Sequence, residues 1–310
     1  MPDADQKMTP TTVTILEVGP RDGLQNEPEI IDTADKLTLI NRMIDAGIKR
    51  MEVASFVHPK RVPQMADAEA VIAGLPVRDD VSYIGLCLNK RGVLRALATR
   101  KFANGGINEA GCVIVASDTF GIKNQGQTIE QGIAENRDMI RFAKAEGLPA
   151  QLTISAAFGC PFEGHVPQET VLHIAEELAA EDPSEIALAD TIGVGVPAQV
   201  ETLFAKLRER IPDHIGLRVH LHDTRNTGIA NAWAAIRAGV TVLDSSLGGL
   251  GGCPFAPKAT GNIATEDLIN LLNRSGIAHG IDLQDAIATN KWFADILRRP
   301  LPSLVARAEG

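Results

Sequence analysis

Two histidines two positions apart, His220 and His222 in the run LRVHLHD of residues 217–223, are the strongest chemical signal in this 310-residue chain. The apolar residues between and before them predict a strand, and a strand sends alternate side chains to one face, so both imidazoles can reach one ion. A pair of histidines satisfied by core hydrogen bonds is the alternative, but H-x-H at a strand end favours a metal. Asp223 falls on the other face and suits a supporting or helix-capping place better than a ligand position. In EVGPRDG, residues 17–23, Arg21 and Asp22 set a cation beside a carboxylate. Asp22 is the natural third ligand; an Asx-type turn with a solvated arginine is the alternative. Asn262 can add an amide oxygen. A set of Asp22, His220, His222 and Asn262 offers nitrogen and oxygen donors together, which favours Mg²⁺ or Mn²⁺ over a closed tetrahedral zinc site, although imidazole alone admits zinc. Asp190 and Glu52 are two further carboxylates inside apolar runs, each equally compatible with a structural turn or an arginine pair. Cys253 stands among Gly248, Gly249, Gly251 and Gly252. Its thiol, protonated at neutral pH unless perturbed, can give a proton to a carbanion as readily as it can attack as a nucleophile; inert filling is the alternative.

Side chains so scattered along the sequence need a scaffold that gathers strand ends. Short apolar, β-branched runs near residues 12–18, 48–54, 81–87, 111–117, 150–157, 185–190, 217–223 and 241–244 predict strands. Helical spacing near 33–46, 63–74, 90–99, 128–146, 168–181, 197–210 and 227–238 predicts the helices between them. Eight such units in about 250 residues predict an α/β fold, a closed (β/α)₈ TIM barrel with a C-terminal helical extension. An open doubly wound sheet is the alternative, but no GxGxxG follows the first strand and no GxxxxGK[ST] occurs. Arg21, Asp22, Asp190, His220 and His222 then fall at C-terminal strand ends, where barrel enzymes keep their sites. The expected division is a polar tail over 1–11, a catalytic barrel over 12–276 and a helical appendix over 277–310. Within the barrel, the glycine-rich residues 248–262 are expected to form a mobile loop over the mouth.

Hydrophobic residues make up 45% of the chain and charged residues 22%, which excludes disorder or coiled coil as its main state. No apolar window approaches the roughly 18 residues needed to span a bilayer, and the polar start lacks a signal peptide, so a cytoplasmic location is expected. Thirty Lys and Arg against 39 Asp and Glu give a net charge of −9, which argues against nucleic acid or an anionic membrane as partner. The four cysteines form no CxxC pair and are read as reduced thiols.

Taken together, these residues are similar to the 3-hydroxy-3-methylglutaryl-CoA lyase family. The resemblance runs over nearly the whole barrel. It is carried by residues 18–27 (VGPRDGLQNE), 55–65 (SFVHPKRVPQM), 158–164 (FGCPFEG) and 190–195 (DTIGVG), by His220-x-His222-Asp223-Thr224, and by residues 248–262 with their GGCP. It implies metal-dependent retro-aldol (Claisen-type) cleavage of 3-hydroxy-3-methylglutaryl-CoA to acetyl-CoA and acetoacetate, as in leucine breakdown and ketone-body formation. Asp22 would be a metal ligand that receives the hydroxyl proton or passes it to a histidine. Arg21 would stabilise the enolate oxygen, and Cys253 would return a proton to the enolate. Glu52 and Asp190 match family active-site carboxylates and are assigned to holding the ligands and Arg21. Coenzyme A brings phosphates, for which Lys90, Arg91, Lys123 and Asn124 are the candidate contacts. A homodimer is expected.

The sequence departs from the family pattern at Arg225, in the stretch after the fourth strand (SDTFGIKN, 117–124) and at Lys258, positions expected to border the acyl pocket. Citramalyl-CoA or a longer-branched glutaryl-CoA therefore stays open as substrate. A synthase condensing acetyl-CoA with a 2-oxo acid is less expected, because its TLRDG start is absent and no regulatory extension follows. An amidohydrolase would carry H-x-H on its first strand, and a non-enzymatic metal-binding protein is the remaining alternative.

Overall fold

The computed structural model describes residues 9–252 and 261–309. Eight strands, β1 (Thr14–Glu17), β2 (Arg50–Ser55), β3 (Ser82–Cys87), β4 (Glu109–Val115), β5 (Ala150–Ser155), β6 (Glu185–Asp190), β7 (Gly216–Leu221) and β8 (Val242–Ser245), follow one another around a ring. All neighbours are parallel, and β8 returns to β1 with Thr14 opposite Val242 and Glu17 opposite Ser245. The expected closed TIM barrel is present. The helices are α1 (Thr33–Asp45), α2 (Ala68–Gly74), α3 (Lys90–Ala98), α4 (Asp118–Gln125), α5 (Ile129–Ala145), α6 (Gln168–Ala179), α7 (Pro197–Arg210), α8 (Gly228–Arg237), α9 (Thr265–Ser275), α10 (Leu283–Leu297) and α11 (Leu304–Glu309).

Two elements differ from the sequence reading. The helix expected over 63–74 divides into a 3₁₀ turn, Pro63–Met65, and α2. The segment after β4 contains the unforeseen α4, in which Phe120 and Ile122 lie two apart and give no helical stripe. Local capping starts and stops it: the Ser117 hydroxyl accepts from the Phe120 amide, and Gly126 ends it at φ 76°.

One apolar core lies between the strands and the ring of helices, and it takes in Phe293 and Leu297 of α10 and Leu301 beyond it. The final helices therefore share the barrel's core. Backbone bonds between Val13 and Ala278 and between Ala278 and Thr11 tie that segment to the chain's start. No helix among the described residues is long and apolar enough to cross a membrane.

Inside the ring the packing is different. A small apolar cluster, Leu16, Val18, Ile84 and Val242, is separate from that core. Polar Gln151 and Thr153 and several charged residues line the cavity beside it. Arg50 binds Glu109 and, at 2.5 Å, Glu185, while Arg218 binds Asp244 at 2.6 Å. Two fully buried acids brace the base of the segment after β8. Glu17 accepts from the Gly19 and Leu247 amides at 2.7 and 2.9 Å and meets Thr265 Oγ1 at 2.6 Å. Glu266 accepts from the Gly248 amide and from Asn290 Nδ2 at 2.7 Å. Burial raises Glu17 to about 7, against its three hydrogen bonds, and raises Glu266 to about 8.

Candidate metal centre and active site

The chain leaves β1 through one π-helical turn, Gly19–Gly23, in which the amides of Arg21, Asp22 and Gly23 all converge on the Val18 carbonyl. Pro20 needs no hydrogen bond there, and the Glu17 carboxylate ties down the Gly19 amide. The turn delivers Arg21 and Asp22 to the C-terminal mouth of the barrel. The Arg21 guanidinium is held on two sides, by Glu52 Oε2 on β2 at 2.7 Å from Nε and by Asp22 Oδ1 at 2.6 Å from Nη1. Burial pushes the Glu52 carboxyl above its usual range and Arg21 only partly offsets this.

His220 and His222 leave β7 on one face, as the period of two requires, and their Nε2 atoms lie 3.2 Å apart. His220 Nε2 is 4.0 Å from Asp22 Oδ2. Asn262 belongs to the segment that follows β8. Residues 261–263 pair with the end of β7 through the Asp223 amide to the Gly261 carbonyl and the Ile263 amide to the Leu221 carbonyl. This sets Asn262 beside His222. Asn262 Nδ2 donates to Asp22 Oδ2 at 2.8 Å and to the Leu250 carbonyl at 3.0 Å. Gly251, at φ 117°, permits this approach, since a Cβ there would stand 2.6 Å from Asn262 Nδ2.

One donor atom each from Asp22, His220 and His222 lies within 4.8 Å of the others. Asn262 Oδ1 is buried with no hydrogen-bond partner among the described residues. Two imidazoles, a carboxylate and an orphaned amide oxygen fit a divalent cation. The local charges agree. Burial alone would raise Asp22, but Arg21, His220, His222 and the Asn262 hydrogen bond hold it down at about 2. His222 is lowered to about 4 by burial and by His220, so its ring is a neutral donor near pH 7. Burial would lower His220 too, but Asp244 and Asp22 raise it.

Arg21, Asp22, Glu52, His220 and His222 line a cavity of about 710 Å³. Of the four residues expected to meet coenzyme A, Lys123 and Asn124 of α4 line it. Lys90 and Arg91 do not. They start α3, outside the cavity wall, and the Lys90 ammonium sits over the Phe142 ring at 4.6 Å. Asp190 also differs from its assignment. Its carboxylate accepts from the Val194 and Gly195 amides at 2.9 and 2.8 Å and shapes the turn after β6, touching neither Arg21 nor the histidines. Asp223 accepts from the Gly228 amide at 2.7 Å and so secures the start of α8. Arg225 binds the Ile192 and Gly193 carbonyls and is not in the cavity wall, so it does not border an acyl pocket as expected. Cys253 and Lys258 lie outside the described residues.

Sequence reasoning missed Arg61, Arg218 and Asp244, all of which line the cavity. Arg218 carried a signal, standing two residues before His220 on the same strand face. Asp244, a lone acid in the run VLDS, carried one too, but nothing local ties it to His220.

Comparison with known proteins places the chain among relatives of similar length. The chain is 42% identical over 306 residues to the (R)-citramalyl-CoA lyase of Chloroflexus aurantiacus, covering 96% of this chain and 94% of that one. It is also 42% identical to the hydroxymethylglutaryl-CoA lyase YngG of Bacillus subtilis, over 95% of this chain and 96% of that one. A solved structure of an HMG-CoA lyase from Acinetobacter baumannii in complex with coenzyme A and 3-methylmalate superposes with a TM-score of 0.89 at 37% identity, covering 96% of this chain and 95% of that one. The HMGL-like family profile matches residues 12–292, and the chain belongs to that family.

Proposed function

We propose that the chain cleaves 3-hydroxy-3-methylglutaryl-CoA to acetyl-CoA and acetoacetate. As a member of its family it is an acyl-CoA carbon–carbon lyase. The observation that carries the reading is the cluster of Asp22, His220 and His222 with Arg21 bound to Asp22, all lining the large cavity. Asp22, His220, His222 and Asn262 would hold a divalent ion, Mg²⁺ or Mn²⁺. Such an ion supplies Lewis acidity at the C3 hydroxyl and fixes the orientation of the bond to be broken.

The chain's own groups do the rest. Asp22 takes the hydroxyl proton or passes it to a histidine. As the C2–C3 bond breaks, its electron pair moves onto the thioester and charge develops on the enolate oxygen, where the Arg21 guanidinium stabilises it. Glu52 keeps that guanidinium from swinging away. Cys253 returns a proton to the enolate carbon, a role resting on its place in the sequence between Gly252 and Asn262. Lys123 and Asn124 meet the coenzyme A portion. The location proposed is cytoplasmic.

A second reading is cleavage of (R)-citramalyl-CoA to acetyl-CoA and pyruvate, supported by the 42% identical Chloroflexus aurantiacus relative. The two substrates differ by one methylene between the tertiary carbon and the carboxylate. A coupled assay with either thioester, in Mg²⁺ or Mn²⁺, separates them by product: acetoacetate or pyruvate. Higher kcat/KM on 3-hydroxy-3-methylglutaryl-CoA is expected. Higher kcat/KM on citramalyl-CoA would replace the first reading by the second, and cleavage of neither would defeat both.

A further inference from the structure

Below the histidines the barrel interior holds a charged chain that the reaction as drawn does not use. Asp244, on β8 and 3% exposed, approaches His220 Nδ1 with Oδ2 at 3.1 Å. The same oxygen receives Nη1 of Arg218 at 2.6 Å. Arg218, 5% exposed, is pinned in turn, with Nη2 on Thr153 Oγ1 of β5 at 2.7 Å and Nε 3.5 Å from Glu185 Oε2. Glu185 continues to Arg50, and Arg50 to Glu109. Signs alternate along the whole chain of groups, which runs from the metal end of the barrel toward the opposite end.

A buried carboxylate facing a guanidinium at 2.6 Å is ionised and can only accept hydrogen bonds. A neutral His220 must then place its proton on Nδ1 to meet Asp244, which leaves the lone pair on Nε2, the atom facing Asp22 and His222. His222 has no such support, since its Nδ1 is buried without a partner among the described residues. The two ligands are thus held differently. His220 is oriented from below by side chains, whereas His222 is oriented by the pairing of β7 with residues 261–263.

We propose that Asp244 and Arg218 are positioning residues for the metal centre: Asp244 fixes the tautomer and ring plane of His220, and Arg218 fixes Asp244. This rests on the reading of Asp22, His220 and His222 as a metal site. It also explains why a cation lines the floor of the cavity without being a substrate anchor, because both of its terminal nitrogens are occupied within the protein.

The test combines nitrogen-15 imidazole spectra of the metal-stripped protein, at a pH where His220 is neutral, with Mn²⁺ titration of wild type, Asp244→Ala and Arg218→Met. The wild-type spectrum should show His220 protonated on Nδ1. Both variants should lose that preference and bind Mn²⁺ about 10- to 100-fold more weakly. A merely structural role would lower the melting temperature and leave the tautomer and the Mn²⁺ affinity alone. Wild-type His220 protonated on Nε2 would overturn the proposal, as would a folded Asp244→Ala protein binding Mn²⁺ within twofold of wild type. If wild type binds no Mn²⁺, the metal reading falls and the tautomer alone decides this one. If a variant does not fold, the wild-type spectrum, which needs no substitution, decides it.

Discussion

Asn262 Nδ2 donates to Asp22 Oδ2 at 2.8 Å across 240 positions of sequence. One amide group thus joins the turn after the first strand to the segment after the last, and its other atom, Oδ1, is buried without a hydrogen-bond partner among the described residues. Both ends of this side chain bear on the site.

His220→Ala and His222→Ala are each expected to abolish Mn²⁺ or Mg²⁺ binding and nearly all turnover, with an unchanged far-ultraviolet dichroism spectrum. The proposed ligands stand at the C-terminal ends of the barrel strands, away from the face that stabilises the fold. Metal retained at wild-type stoichiometry in both variants would remove the assignment.

Arg21→Met should leave metal content and KM close to wild type and collapse kcat, because the contact proposed for it with the enolate oxygen would form mainly in the transition state. Steady-state kinetics give the answer directly. A loss confined to KM would make Arg21 a substrate anchor.

Stability should carry a signature of Glu17. Its carboxyl titrates at about 7 in the folded chain against 4.5 unfolded. Between those values the native state holds the proton and the unfolded state does not, so stability falls as pH rises. The contribution is complete below pH 4.5 and gone above about 7, on the order of 3 kcal/mol for a fully buried group. Melting temperatures of wild type and Glu17→Gln, measured from pH 5 to 8, should show the wild-type advantage shrinking along the series. Parallel curves would mean that Glu17 is ionised throughout.

Cys253→Ala should fold, bind metal and lose roughly 10²- to 10⁴-fold in kcat, the usual worth of a positioned general acid. Cys253→Ser should recover little, since an alcohol is a far weaker acid than a thiol. A serine variant near wild-type rate would leave the residue only a volume to fill.

The parts of this molecule legible in sequence are those whose cause is local. The strand period of two put His220 and His222 on one face, and the alternation of strand and helix implied the ring. α4 was not legible, since its Phe120 and Ile122 make no stripe and its limits are set by capping at Ser117 and Gly126. Lys90 and Arg91 were misplaced because a residue just after a strand can begin the outer helix instead of facing the mouth. Asp190 misled for a related reason: an acid at a strand end serves a turn or a site, and only the position of the Val194 and Gly195 amides decides which. Asp244 depends on a partner on another strand, a relation that exists only once β7 and β8 lie side by side.

The ring has one seam, where β8 meets β1 and the last-made strand must find the first. Asp22 stands on one side of it, and His220, His222 and Asn262 on the other. A nascent chain that ends before residue 262 therefore lacks part of the proposed ligand set, and an ion held by the finished set would act as a clasp on that seam. Its binding free energy would be added to the folded state, in which the two sides of that junction are joined. Hydrogen exchange in β1 and β8 should accordingly slow on metal addition more than exchange in β4 and β5 on the far side of the barrel.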